Sequence, residues 1–106
     1  MLFAAGLGTR LYPLTSHLPK DLVEVNGKTL LQRVIEKMRN AGINRIVVNV
    51  HHFADQVEAY LKLHSGFGAE ILISDEREEL LDTGGALRKA ASLFLKDQPV
   101  LVHNVD

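Results

Sequence analysis

Phe3-Ala4-Ala5-Gly6-Leu7-Gly8-Thr9-Arg10-Leu11 is the stretch on which the reading of this chain turns. Its apolar start, Met1 to Ala5, reads as a short strand of the buried kind, and Gly6 and Gly8 break that strand into a loop. Without a Cβ, the two glycines let the backbone bend tightly and let a ligand lie against it. Successive main-chain N–H groups in such a bend form a concave anion site. Arg10 adds a planar fork of donors matched to phosphate oxygens, and Lys20 adds a mobile point charge. A polyphosphate suits such a loop. The competing reading is a tight strand-to-loop turn without a ligand, flanked by two solvated cations.

Working outward, Thr29-Leu30-Leu31-Gln32 fits a capping box. The helix it opens places Leu30, Leu31, Val34, Ile35, Met38 and Ala41 at helical spacing, and Gly42 suits its end. Residues 6 to 28 read as one long loop broken by Pro13 and Pro19. Arg45 to Val50, R-I-V-V-N-V, is rich in β-branched residues and predicts a second strand. A second helix is expected over Asp55 to His64 with Val57, Tyr60, Leu61 and His64 inward, then a turn bracketed by Gly66 and Gly68. Ala69 to Ser74 predicts a third strand, Gly85 to Leu95 a third helix and Val100 to Val105 a fourth strand. The run Asp75-Glu76-Arg77-Glu78-Glu79 reads as a solvated loop. Strands alternating with helices imply an α/β fold with a parallel sheet and right-handed crossovers.

Composition narrows the function classes. A chain of 106 residues is one domain by prior. A net charge of −1 argues against broad binding to nucleic acid or to an anionic membrane, so any positive potential must be local. The absence of cysteine excludes disulfides and thiolate metal sites. No signal peptide is visible at Met1 and no apolar run reaches membrane-spanning length, which makes the cytoplasm the default location. His51-His52 point opposite ways along a strand and do not chelate one metal, and His17, His64 and His103 stand alone.

Three familiar phosphate loops fail on single positions. The dinucleotide fingerprint needs glycine where Leu11 stands, and a ribose-binding acidic residue where strand 2 instead ends Asn49-Val50-His51. A Walker loop ending at Gly27-Lys28-Thr29 needs glycine where Leu22 stands, so that triplet reads as a turn into a helix. The kinase loop lacks its third glycine and following strand.

What remains is G-x-G-T-R-L at residues 6 to 11 with Pro19-Lys20 downstream. With Val25-Asn26-Gly27-Lys28, Leu81-Asp82-Thr83-Gly84-Gly85-Ala86-Leu87 and Val102-His103-Asn104-Val105-Asp106, it resembles the sugar-phosphate nucleotidyltransferases. These enzymes join a nucleoside triphosphate and a sugar 1-phosphate into a nucleotide-sugar and pyrophosphate. The likeness covers essentially the whole chain but only the N-terminal, nucleotide-binding part of the family's domain, so residues 1–106 are expected to be a fragment of a longer enzyme. It implies a Rossmann-like three-layer α/β/α fold with a parallel sheet of strand order 3-2-1-4, incomplete at its C-terminal side. The first two helices would cover one face and the third the other. Strands 1 and 4 would flank the switch point, where ligands bind beyond the carboxyl ends. The thinly covered face and the open edge would be the surfaces for self-association.

The resemblance also assigns roles. Ala4, Ala5, Gly6, Leu7, Gly8 and Thr9 would wrap the nucleotide. Arg10 would hold the leaving pyrophosphate, and Lys20 would bridge the α-phosphate and the sugar phosphate. Thr83, Gly84, Gly85 and Asn104 would face base and sugar. Asp106 would bind magnesium, the one implied cofactor; its alternative is a strand-end aspartate capping the next turn. Asp21 and Thr29 stand where the family usually has proline. The short motifs look most like enzymes of mannose 1-phosphate guanylyl transfer or muramate-type uridylyl transfer, and leave the base open. The competing function is a nucleotide- or phosphate-binding half without catalysis of its own.

Overall fold

In a computed structural model, residues 1–5, 17–51, 53–79, 81, 83–94 and 99–105 are described. Along them run β1 (Leu2–Phe3), β2 (Glu24–Val25), β3 (Lys28–Thr29), α1 (Leu30–Asn40), β4 (Arg45–Val50), α2 (Ala54–Leu63), β5 (Glu70–Asp75), α3 (Thr83–Ala90) and β6 (His103–Asn104). The main sheet has the order β5-β4-β1-β6, which is the expected 3-2-1-4 once the small pair β2–β3 is left out of the count. Every pairing in it is parallel: Leu2 faces Val48 and His103, Phe3 faces Asn49 and Asn104, and β4 pairs with β5 from Arg45–Glu70 to Val50–Asp75.

The centre of the sheet follows from the composition of β4. Ile46 through Val50 are all buried, as a parallel strand covered on both faces requires. Alternate side chains point to opposite faces. Ile46, Val48 and Val50 join Leu2 in a core with Leu31, Val34, Ile35 and Met38 of α1 and Ala54, Val57 and Leu61 of α2. Val47 points the other way, into a smaller core with Met1 and with Ala86 and Ala90 of α3. The expected split of two helices on one face and one on the other is what forms.

Local chemistry fixes the ends of α1. The Thr29 side chain accepts from the Gln32 backbone N–H at 3.0 Å, the N-cap bond that the capping box predicts. At the other end Gly42 (φ +88) lets Gly42 N bond Arg39 O and Ile43 N bond Met38 O, a Schellman motif closed by the packing of Ile43 on the core. Ala41, expected inward, is exposed because it is the C-cap residue. The Thr29 hydroxyl also shares a 2.9 Å hydrogen bond with the Tyr60 hydroxyl of α2. Thr29→Ala is therefore expected to cost about 1–2 kcal/mol in urea unfolding, with Thr29→Ser recovering most of it.

Four expectations need correction. The loop expected over residues 6 to 28 contains a 3₁₀ turn at Lys20–Leu22 and the β2–β3 hairpin. Asn26 (φ +53) and Gly27 (φ +82) make its two-residue turn, the favoured chemistry for a tight hairpin. Gly27-Lys28-Thr29 is thus a turn into a helix, as read. His64 is exposed at the end of α2, stacked on Phe67 with centroids 4.8 Å apart, rather than inward. The helix α3 starts at Thr83, not Gly85, and gives way at Ala91–Leu93 to a 3₁₀ turn. The fourth strand shrinks to His103–Asn104, with Val100, Leu101 and Val102 all exposed. Its pairing partner β1 is itself two residues long, and upstream of the paired residues the Met1 amino group donates to the Leu101 carbonyl at 2.5 Å.

Candidate active site

Because the main sheet is parallel, its strands' carboxyl ends share one edge. The crossover helices run back against the strands, so the N-termini of α1, α2 and α3 point to that edge too. Ala4 and Ala5, both buried, leave β1 there. Next to them β6 ends: Asn104 pairs with Phe3, and the Val105 N–H donates to the Phe3 carbonyl at 3.3 Å. The two extremes of the chain are therefore side by side. Gly6, Leu7, Gly8, Thr9 and Arg10 continue from the first, and Asp106 from the second; all six lie outside the described residues.

Lys20 reaches the same edge by a different route. It opens the Lys20–Leu22 turn after an extended Pro19, and that turn adjoins the start of α1 through the bond from Leu30 N to Val23 O. Upstream, the His17 carbonyl accepts from Gln56 in the first turn of α2 at 3.1 Å. Leu22 packs on the α1–α2 core. Lys20 is half-buried, and Asp21, which follows it, is wholly buried. Thr83, Gly84 and Gly85 form the first turn of α3, whose main-chain N–H groups give the helix its positive end.

Sequence reasoning misses the groups beneath this edge. Composition puts Glu76 in a solvated loop, yet its relative exposure is 0%. Its Oε2 accepts from Asn49 Nδ2 at 2.9 Å and its Oε1 from the Leu81 N–H at 3.0 Å. Asn49, also buried, accepts the Ala4 N–H on its Oδ1 at 2.7 Å. The signal is present in the sequence: Asn49 is the one amide in an otherwise apolar strand interior, and a buried amide demands partners. The neighbouring Arg77 stays exposed like the rest of the run, at 3.0 Å from Asp55, 2.8 Å from Glu58 and 3.3 Å from Asp75. Desolvation pulls its pKa down, but those carboxylates outweigh it and the net shift is upward. His51 Nδ1 lies 2.5 Å from the Glu76 carbonyl oxygen, a packing role. Among the described residues, no three His, Asp or Glu side chains are grouped to hold a metal, and no helix is long and apolar enough to cross a membrane.

A parallel open sheet with its glycine-loop strand at the switch point defines a Rossmann-like α/β protein. The chain belongs to the nucleotidyl transferase family, which it matches over residues 1–106. It is 48% identical to an N-acetylmuramate alpha-1-phosphate uridylyltransferase of Caulobacter vibrioides, the alignment covering 100% of this chain and 44% of that protein. It is 39% identical to a mannose-1-phosphate guanyltransferase of Neurospora crassa, covering 100% of this chain and 29% of that one. The crystal structure of HddC from Yersinia pseudotuberculosis superposes with a TM-score of 0.85 at 30% identity, over 99% of this chain and 46% of that one. The family resemblance carried by the short motifs is borne out, and the chain spans less than half the length of these relatives.

Proposed function

We propose that this protein transfers a nucleotidyl group from a nucleoside triphosphate to a sugar 1-phosphate, with magnesium, and acts in the cytoplasm. The observation that carries the reading is the meeting of β1, β6 and the start of α3 at one edge. The chain continues from there into the assigned phosphate loop and the assigned strand-end carboxylate, and α3 brings its N-terminus to the same edge. A sugar-phosphate oxygen attacks the α-phosphorus, and the bond to the bridging oxygen of pyrophosphate breaks with its electron pair leaving on pyrophosphate. Both reactants are anions, so the protein's task is to cancel repulsion and hold them in line. Arg10 takes charge on the leaving group, and Lys20 sits between the α-phosphate and the incoming phosphate. Magnesium prefers hard oxygen ligands, and the residue assigned to it, Asp106, follows directly on the bonded Val105. When bound, the ion neutralises phosphate oxygens. The higher identity to the uridylyl relative makes uridine triphosphate the first donor to test.

A second reading, a nucleotide-binding half that needs further chain or a partner at its open β6 edge, is favoured by the coverage of the relatives. One assay separates the two. The 106-residue chain and the longest natural form of the protein are each given labelled triphosphates, a panel of sugar 1-phosphates, and magnesium or a chelator. Nucleotide-sugar from the short chain supports independent catalysis. Triphosphate binding without turnover, rescued by the longer form, supports the binding half. No nucleotide-sugar from either refutes the transferase reading.

A further inference from the structure

The face of the sheet under α3 is apolar along most of its length, with Met1, Val47, Leu72, Ala86 and Ala90 in contact. At the carboxyl edge it becomes polar: Asn49 is 3% exposed, Ser74 4% and Glu76 0%. A buried carboxylate is a poor way to stabilise a core, since apolar side chains of similar volume do as well or better. Burial also removes Glu76 from direct contact with a ligand. What it does hold is main chain. Through Leu81 N–H it holds the last stretch before α3, and through the Asn49 amide it holds Ala4 N–H, the first donor past β1. Those are the two places where the chain leaves the sheet to form the proposed ligand loops.

We propose that Glu76 and Asn49 are positioning residues that fix the loop leaving β1 and the loop entering α3 to one another. The inference rests on the transferase reading for its kinetic consequence. The polarity of the relay is determined at every link. A carboxylate only accepts, so Asn49 must turn its NH₂ toward Glu76, and that leaves its oxygen facing the Ala4 N–H. Reversing any one group leaves two donors or two acceptors facing each other in a buried site.

Glu76→Gln puts an amide NH₂ against either Asn49 Nδ2 or Leu81 N–H; rotating the Asn49 amide only moves the clash to Ala4. Asn49→Asp sets two carboxylates together. The double variant Asn49→Asp/Glu76→Gln restores the order. The carboxylate now at position 49 accepts from both the Ala4 N–H and the new amide NH₂ at position 76. The oxygen of that amide still accepts from Leu81 N–H. Net charge and heavy-atom count are unchanged.

The test uses the longest natural form, with kcat, KM and Kd for the triphosphate and the thermal midpoint measured on all four proteins. Glu76→Gln, where folded, is expected to lose about ten- to a hundredfold in kcat/KM for the triphosphate, the scale of displaced reacting groups. The double variant is expected to recover kcat/KM to within about threefold of wild type, a loss under 1 kcal/mol. A folded Glu76→Gln with wild-type kcat/KM overturns the proposal. So does a folded double variant with no recovery, which is the deciding measurement if either single variant fails to fold. A wild type that binds triphosphate without turnover removes the transferase reading, and the same comparisons are then made on Kd. A wild type that does neither removes both.

Discussion

Replacing Lys20 with alanine is expected to lower kcat by about 10²–10³, the usual cost of removing one preorganised donor from developing phosphate charge. The direction follows from the chemistry proposed for the edge. Two anions have to approach, and a cation between them gains most at the point of closest approach, so the loss should fall on kcat more than on KM. The site is a half-buried position at the start of a 3₁₀ turn, so the fold should tolerate the change within about 0.5 kcal/mol. Steady-state rates with both substrates varied, paired with a thermal melt, check this. Lys20→Arg is not expected to rescue fully, because a planar fork cannot occupy the place of a compact ammonium. Arg10→Ala should be similarly damaging, and the two losses should fall short of adding if both cations act on one charge distribution. Unchanged turnover in Lys20→Ala would remove Lys20 from the mechanism.

The parts of the fold that local chemistry dictates are legible in the sequence. Arg45–Val50 forms over the residues its β-branched run predicts. Thr29 and Gly42 bound α1 through the caps their residue types favour. Strand order comes from the family resemblance, since periodicity alone does not order strands. Most of what sequence misses depends on neighbours rather than on local chemistry. Val100 to Val102 have every strand propensity yet stay exposed outside the two-residue ladder with β1, although the Leu101 carbonyl accepts from the Met1 amino group. Helical spacing places His64 inward, but the helix ends one residue before it. The hairpin is recoverable, since Asn26-Gly27 is a strong turn signal that reading the stretch as one loop passes over.

The site divides in the same way. Motifs select Ala4, Ala5, Asn104 and Thr83 to Gly85, and the parallel topology brings their elements to one edge. Glu76 is hidden in a run of charges whose composition predicts solvent. Only tertiary structure shows which carboxylate of that run turns inward, because the partners that make its burial tolerable, Asn49 and Leu81, come from a neighbouring strand and from the approach to α3.

Ile35→Ala is expected to be the most destabilising of the apolar substitutions, at about 2–5 kcal/mol. Ile35 is 0% exposed in the core between α1, α2 and the sheet, among side chains from all three. Removing its outer carbons loses transfer energy and leaves a cavity that neighbours fixed by strand register cannot close. Against a total stability of about 5–15 kcal/mol this is a large share. At roughly 4–8 °C per kcal/mol for a domain of this size, the thermal midpoint should fall by about 10 °C or more. Leu63→Ala is the internal control. It removes an equally apolar residue from α2, but Leu63 is 79% exposed and its loss should stay within about 0.5 kcal/mol. Equal losses at the two sites would mean that helix propensity, not burial, sets the stability of these helices. The contrast also bears on function, because the Lys20 turn adjoins the start of α1 and Leu22 packs on the same core. If the edge is held by that packing, Ile35→Ala at about 25 °C should keep the turnover of its folded fraction and lose activity on warming in step with unfolding. A fall in kcat without unfolding would instead mean that the core sets the position of Lys20 directly.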